Sequence, residues 1–188
     1  NIQSQPRLRA TANLAVDNFG FKDLIDMRKL RIVGQLPTSE TTPSLLTAKM
    51  ESLRSGNREI QQGEISLAGI RKAHLLKVSA QNEKSKFYVQ LAGGFNAQND
   101  WLGQIQKGDF DSLRARLVQR QSAAVVYNSA KADLLIGAHC WMSQQSQLCF
   151  DQPIRVSKTR GNISFLTQNL DLNDFAAFMP EGLAITGK

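Results

Sequence analysis

Cys140 and Cys149 are the residues of this chain whose type and spacing point most directly to chemistry. The stretch between them is polar, with Ser and Gln at its middle, and bulky apolar residues stand beside each cysteine. This pattern is typical of two strands joined by a short solvent-exposed turn, with one cysteine on each strand. Opposed residues on paired strands have Cβ atoms about 4.5–5.5 Å apart, so a disulfide can form after modest adjustment. Two buried free thiols are the alternative.

The two histidines do not extend this pair into a metal site. Zinc would need more cysteine or histidine ligands than His139 and the distant His74 can supply, so we expect neither a metal nor a cofactor. His74 falls in the apolar register of its segment, which predicts a hydrogen-bonded structural histidine. For His139, the neighbouring cysteine is the only feature that suggests a role as a metal ligand. A disulfide would imply an oxidising compartment.

Enzymatic motifs are missing from the sequence, which has no G-x-S-x-G elbow, phosphate loop, H-E-x-x-H pair or Rossmann fingerprint. Asp109 and Asp111 alternate along a turn or strand without an apolar pocket implied around them, so they do not suggest a catalytic acid and base. The group Asp171, Asn173 and Asp174 lacks the glycine and the distal glutamate of a calcium loop and suits a helix cap better. We therefore do not expect an enzyme.

The chain is basic, with a formal net charge of +7 from 23 Lys and Arg against 16 Asp and Glu. A basic surface is one feature of nucleic-acid-binding proteins. Here the cations are scattered, and no zinc finger, helix-turn-helix or aromatic-rich ribonucleoprotein motif accompanies them, so nucleic acid is not expected. Anionic lipid headgroups are a better candidate partner for this charge.

At 188 residues the chain fits one domain with a sizeable core, and we interpret residues 1–188 as a single segment. No apolar run approaches the roughly 18–20 residues that span a bilayer, and the polar first residues do not form a signal peptide. Because the sequence begins and ends inside patterned stretches, we expect it to be a piece of a longer protein, with any export signal or membrane anchor outside it.

Apolar and polar residues alternate along most of the chain, which predicts an all-β fold of one-sided strands. Phe87, Val89, Leu91 and Phe95 form the strongest such segment, opposite Lys86, Tyr88 and Gln90. The same alternation recurs in segments separated by turn-forming residues. In each segment every second residue, counted from the first one named, belongs to the apolar side: Leu8 to Val16, Leu30 to Leu36, Leu46 to Met50, Ile65 and Leu67, His74 to Ala80, Leu113 to Leu117, Ile163 and Phe165, and Leu183 and Ile185.

One segment has helical spacing instead. Leu172, Phe175, Phe178 and Met179 predict a short helix near residues 172–179, capped at its start and followed by Pro180. Two helical turns are not stable alone, so we expect the aromatic face to pack on the sheet.

Four sets of residues follow one another along the chain: Gly69 to Leu76, Leu91-Ala92-Gly93-Gly94-Phe95 with Trp101-Leu102-Gly103, Cys140-Trp141 with Leu148-Cys149, and Leu170 to Gly187 with Pro180-Glu181-Gly182. Their order resembles the TamB family, the AsmA-like inner-membrane subunits of the translocation and assembly module in the Gram-negative envelope. We interpret the chain as a fragment from the middle or C-terminal half of such a protein. Asp171 replaces the family's Pro, and Met179 replaces the Leu before Pro180, yet both suit a capped short helix.

The resemblance implies an elongated curled sheet, a β-taco or open solenoid-like groove, in a periplasmic protein anchored in the inner membrane through a segment outside this chain. It implies an outer-membrane partner, TamA, and a role in moving phospholipid between the two membranes or in assembling outer-membrane β-barrel proteins. Lipid selectivity, direction, energy source and oligomeric state do not follow from the sequence.

A one-sided sheet offers a physical mechanism for lipid transfer, because each buried acyl methylene is worth about 0.8 kcal/mol. Binding of unfolded β-barrel protein at a strand edge or in the groove is the alternative, and a spacer with an ordinary core is the third possibility. The expected lipid-groove residues are Leu76, Val78, Phe87, Val89, Leu91, Leu113, Leu117, Ile163 and Phe165.

Overall fold

Extended strands make up most of the residues that the structure, a computed structural model, describes: 9–21, 25–37, 41–56, 58–113 and 115–170. Seventeen strands are found within these ranges. In chain order they are β1 Arg9–Phe21, β2 Ile25–Pro37, β3 Ser44–Met50, β4 Ser52–Ser55, β5 Arg58–Ile60, β6 Gln62–Ile70, β7 Ala73–Gln81, β8 Ser85–Phe95, β9 Trp101–Ser112, β10 Arg116–Gln119, β11 Ala123–Asn128, β12 Asp133–Ile136, β13 His139–Met142, β14 Gln147–Phe150, β15 Ile154–Val156, β16 Gly161–Asn162 and β17 Leu166–Gln168.

The first half of the sheet is an antiparallel meander in which β1, β2, β3, β6, β7, β8 and β9 lie side by side. The short strands β4 and β5 extend β3 and β6, and they pair with each other. Glu51 and Gln61 interrupt these two long strands, and their backbone N–H groups donate to the carbonyl oxygens of Arg28 and Gln81. Hairpin connections of this kind keep sequential strands adjacent.

β9 is the point at which the sheet divides into two branches. Its first half pairs with β11, which leads through β12 to β15 and β16. Its second half pairs with β10, which leads through β13 to β14 and β17. One strand therefore serves both branches, each of which uses a different part of its length.

The sheet bends strongly where the second branch returns over β8. Phe87 on β8 and Trp141 on β13 are separated by three strand spacings, about 14 Å on a flat sheet. Their rings nevertheless stack with centroids 6.0 Å apart. The Trp141 indole lies on Gly108, where a Cβ atom would meet it at 2.4 Å, so the close approach requires glycine. Phe110 and Leu117 are fully buried in this cluster.

The chain thus forms one open, curled antiparallel sheet that is not closed into a barrel, and the predicted all-β curled fold is confirmed. The helix predicted near residues 172–179, with Phe175 and Phe178, lies outside the described residues. Within the described part of the chain, no helix is long and apolar enough to cross a membrane.

The cysteine pair lies on the hairpin formed by β13 and β14. Cys140 is directly opposite Cys149, their Cα atoms are 4.1 Å apart, and the sulfur atoms are joined. A Ser143–Ser146 turn connects the strands, with the Ser143 backbone N–H donating to the Ser146 carbonyl oxygen at 2.8 Å. The neighbouring residue Trp141 is the one that lies over Gly108, so this hairpin positions the indole on the bent sheet.

We predict that removing the cross-link destabilises the protein by about 2–3 kcal/mol, because a loop of this size constrains the unfolded chain. Urea denaturation of the oxidised protein, the reduced protein and a Cys140→Ser/Cys149→Ser variant measures the difference. Protein purified from the periplasm should show no free thiol after denaturation without reductant. Two reactive thiols in that sample would contradict the prediction.

Candidate functional site

Cross-strand register places apolar side chains together on one face of the sheet, which we call the apolar face. One row crosses β3, β6, β7 and β8, and a second row runs beside it. Directly opposed side chains lie about 4.5–5.5 Å apart, so each row forms a continuous apolar surface. The first row consists of Leu46, Leu67, Leu76 and Leu91, and the second of Ala48, Ile65, Val78 and Val89.

These rows continue onto the first two strands of the sheet. Ala48 is opposite Ile32 on β2, and Ile32 is opposite Leu14 on β1. Leu14 remains 49% exposed and Ile65 46% exposed. Isolated exposed apolar side chains are ordinary, but a contiguous apolar surface over several strands marks an interaction site.

The charged side chains of the same strands lie on the opposite face, which we call the polar face. Lys49, Glu64, Lys77 and Lys86 are the charged residues of β3, β6, β7 and β8, and none of them falls in the apolar rows. A ligand on the apolar rows of these four strands would therefore contact hydrocarbon without burying a charge, which would otherwise cost several kcal/mol.

Among the residues that the structure describes, the apolar face is covered towards the branched end of the sheet. There Ile105, Ala123 and Val125 form one buried cluster, which Val89 and Leu91 contact from β8. Phe110, Leu117 and Trp141 form a second, which Phe87 contacts. The face thus passes from partly exposed rows on β1 to β7 into a packed core on β9 to β14.

A polar concavity on the opposite face has no counterpart in the predictions from sequence. It measures about 930 Å³ and mixes both signs of charge, with Lys49 paired to Glu64 at 3.3 Å. Lys107 lies over the Tyr88 ring at 5.7 Å. Arg116 donates a hydrogen bond to Asp109 at 3.1 Å, and this bond raises the pKa of the guanidinium. Strand alternation shows that Arg31, Lys49, Glu64, Tyr88 and Asp109 share a face, but not that the face is concave.

Comparison with known protein families identifies the family to which the chain belongs. A model described as "TamB, N-terminal domain" matches residues 3–188. The chain belongs to the TamB family. The matched region is the N-terminal domain, which differs from the C-terminal-half or mid-chain position expected above. The family consists of envelope proteins that work in transport and assembly without catalysing a reaction. No solved structure matches the chain.

In this TamB family member, six of the nine predicted groove residues share the apolar face. Leu76 and Val78 lie in the open rows, and Phe87, Val89 and Leu91 lie where the open rows meet the covered clusters. Leu117 is on the same face but is fully buried, so it belongs to the core of the bent end.

Three predicted groove residues are placed differently. Leu113 is 79% exposed in the turn between β9 and β10, where the Ser112 backbone N–H donates to the Ala115 carbonyl oxygen and ends the alternation. Ile163 and Phe165 lie in the connection between β16 and β17 rather than on one strand face. Ile163 is exposed, and Phe165 packs edge-on against Phe150 at 6.2 Å.

His74 is the structural histidine predicted from the sequence. The Trp101 Nε1–H donates to His74 Nε2 at 2.8 Å, so Nε2 is the acceptor. The proton is therefore on Nδ1, which lies 3.2 Å from the Ile70 carbonyl oxygen. Both ring nitrogens are thus used at the end of the apolar face. Among the residues that the structure describes, no group of three or more His, Cys, Asp or Glu is arranged to bind a metal.

His139 is buried beside the cysteine pair and stacks on Phe150 with ring centroids 4.8 Å apart. Its Nδ1 lies 2.8 Å from the Gly137 carbonyl oxygen and donates to it. Burial lowers the pKa of His139, with the Gly137 bond opposing that effect. The folded protein therefore holds this histidine neutral at a pH where the unfolded chain begins to protonate.

We predict that the free energy of unfolding decreases as the pH falls below the unfolded histidine value of about 6.5. The sign follows because the unfolded chain binds the proton more readily, so the full stability is present above that pH and is lost below it. Urea denaturation at pH 7.5, 6.5 and 5.5 measures the slope. A His139→Asn variant, whose amide can still donate to Gly137, should have a shallower slope, and equal slopes would contradict the assignment.

Proposed function

We propose that this TamB family member carries phospholipid acyl chains on its apolar face, as one segment of a periplasmic conduit between the inner and outer membranes. The observation that carries the proposal is the pair of uncharged rows that cross β3, β6, β7 and β8, in which Ile65 is 46% exposed and the other seven side chains are partly buried. Acyl methylenes moved from water onto such a surface gain up to about 0.8 kcal/mol each.

The proposed transfer needs no catalytic residue and no cofactor. An acyl chain that slides from one strand to the next exchanges one apolar contact for another, so its free energy changes little along the rows. The headgroup stays in water, where its charge is not desolvated. The full-length protein would be anchored in the inner membrane and would meet a TamA-like partner at the outer membrane.

A charge placed in the open rows tests this function. We predict that Ile65→Asp abolishes photocrosslinking of phospholipid to a photoreactive residue at position 76, because the new carboxylate would be desolvated by a bound acyl chain. Ile65 is half-exposed, so the variant should keep its fold. Ser66→Asp places the same charge on the same strand but on the polar face, and it should leave crosslinking unchanged.

Thermal unfolding of each variant accompanies the crosslinking. Leu117→Asp should unfold the protein, because it buries an unpaired charge in the second cluster. This variant therefore tests the stability of the core and not the proposed lipid-binding surface. A folded Ile65→Asp protein that crosslinks as well as the wild type would contradict the proposed surface. Unfolding of Ile65→Asp at ordinary temperature would favour the spacer hypothesis.

One observation supports the alternative function, in which the protein binds unfolded outer-membrane β-barrel protein. Among the described residues, the thirteen-residue strand β1 pairs only with β2. An edge strand of this length presents backbone N–H and C=O groups that can pair with a further strand.

This alternative predicts that a photoreactive residue at Ala15, which is exposed near the middle of β1, captures unfolded β-barrel protein. Capture should continue in Ile65→Asp, because backbone pairing does not need the apolar rows. A matched probe at Lys77, on an interior strand, should not capture the client. Equal capture at both positions would indicate adhesion without strand pairing.

A further inference from the structure

The apolar face has one end that differs chemically from the other. Resting on the proposed function, we propose that Arg71 at this end binds the phosphate of a phospholipid headgroup while the acyl chains lie on the open rows. The relevant group is the aromatic cluster, defined as His74, Phe95 and Trp101, together with the Arg71 guanidinium above it.

The aromatic cluster lies where β7 begins, β8 ends and β9 begins, and its rings contact one another. The Trp101 indole donates to His74, and the His74 ring lies 5.7 Å from the Phe95 centroid. Its members share the register of the apolar rows, since His74 is opposite Gly93, two residues beyond Leu91. The rings of Trp101 and His74 are amphipathic, and rings of this kind occur where an apolar surface meets water.

Two contacts hold Arg71 over this cluster. Its guanidinium carbon lies 5.3 Å from the Phe95 centroid, and its backbone carbonyl oxygen accepts the Phe95 N–H at 2.9 Å. Gly94 allows the approach, because a Cβ atom there would meet the Lys72 carbonyl oxygen at 2.0 Å. Any side chain at position 94 would push the β6–β7 turn away and move Arg71 from the rim.

The guanidinium is exposed and also donates to the Asn99 side chain. Arginine presents five N–H donors in a planar fork that suits phosphate oxygens, and its stacking on an aromatic ring limits the rotamer entropy lost on binding.

The residues that the structure describes at the opposite end of the same strands include polar side chains. There Asn82 Oδ1 accepts from the Ser85 backbone N–H at 2.7 Å, and Ser85 is opposite Ser112. From His74 to Ala80 the face extends six residues, about 20 Å, which is comparable to an extended acyl chain. An anionic amphiphile is therefore complementary in charge and length when its headgroup is at Arg71.

The test compares two lipids that share the same acyl chains. The 188-residue protein with a photoreactive residue at position 76 is mixed with phosphatidylglycerol or with diacylglycerol, in neutral detergent micelles. Wild-type capture of phosphatidylglycerol should exceed that of diacylglycerol about tenfold, because one modest charge-assisted hydrogen bond increases affinity by about this factor. Arg71→Gln should remove this preference and leave diacylglycerol capture unchanged.

Two further variants separate a binding site from a general effect of charge. Arg71→Lys keeps the charge but loses the fork, and its preference should be intermediate. Lys77→Gln removes a charge from the polar face of β7, and its preference should equal that of the wild type. An unchanged preference in Arg71→Gln, or an equal loss in Lys77→Gln, would overturn the site.

The outcomes also separate this inference from the proposed function. Equal wild-type capture of both lipids would leave the acyl-chain surface standing and overturn the headgroup site. Capture of neither lipid would overturn both. Soluble glycerophosphate, added at the concentration of the lipid, should not displace it; efficient displacement would show a site for free phosphate esters and would overturn the assignment to a lipid.

Discussion

The antiparallel register is the constraint on which the rest of this structure depends. Side chains alternate between faces with a period of two, so a slip of one residue in any hairpin would move that strand's apolar set to the polar face. Register from β1 to β8 keeps Leu14, Ile32, Ala48, Ile65, Val78 and Val89 in one row. On β3, β6, β7 and β8, the separation of the charged side chains from the two apolar rows is a consequence of that pairing.

A β-bulge preserves this separation where simple alternation would fail. Leu91 is opposite Ile105 and Phe87 is opposite Phe110, yet Ile105 and Phe110 are five residues apart. In a regular strand, two residues with this spacing face opposite sides. The irregularity between Gln90 and Leu91 accommodates one extra residue on β9, so both side chains reach the apolar face. Each then enters a different buried cluster.

Alternation therefore predicted the all-β fold class and the residues that share one face of each strand, because period-two patterning is local information. The placement of Leu76, Val78 and Val89 follows from it directly. The burial of Leu117 does not, since it depends on Trp141 reaching across the bend to Phe87. Leu113 was misplaced because Ser112 and Ala115 form a turn inside a segment that reads as continuous alternation. The polar concavity depends on curvature, which no single strand encodes.

The bent end explains how a sheet can leave apolar rows open and still fold. Exposed hydrocarbon contributes little to stability, so the buried clusters around Ile105 and Phe110 must supply much of the apolar contribution. The Cys140–Cys149 cross-link lies next to Trp141, which closes the second cluster. Stability is thus concentrated in β8 to β14, while β1 to β7 keep an accessible surface.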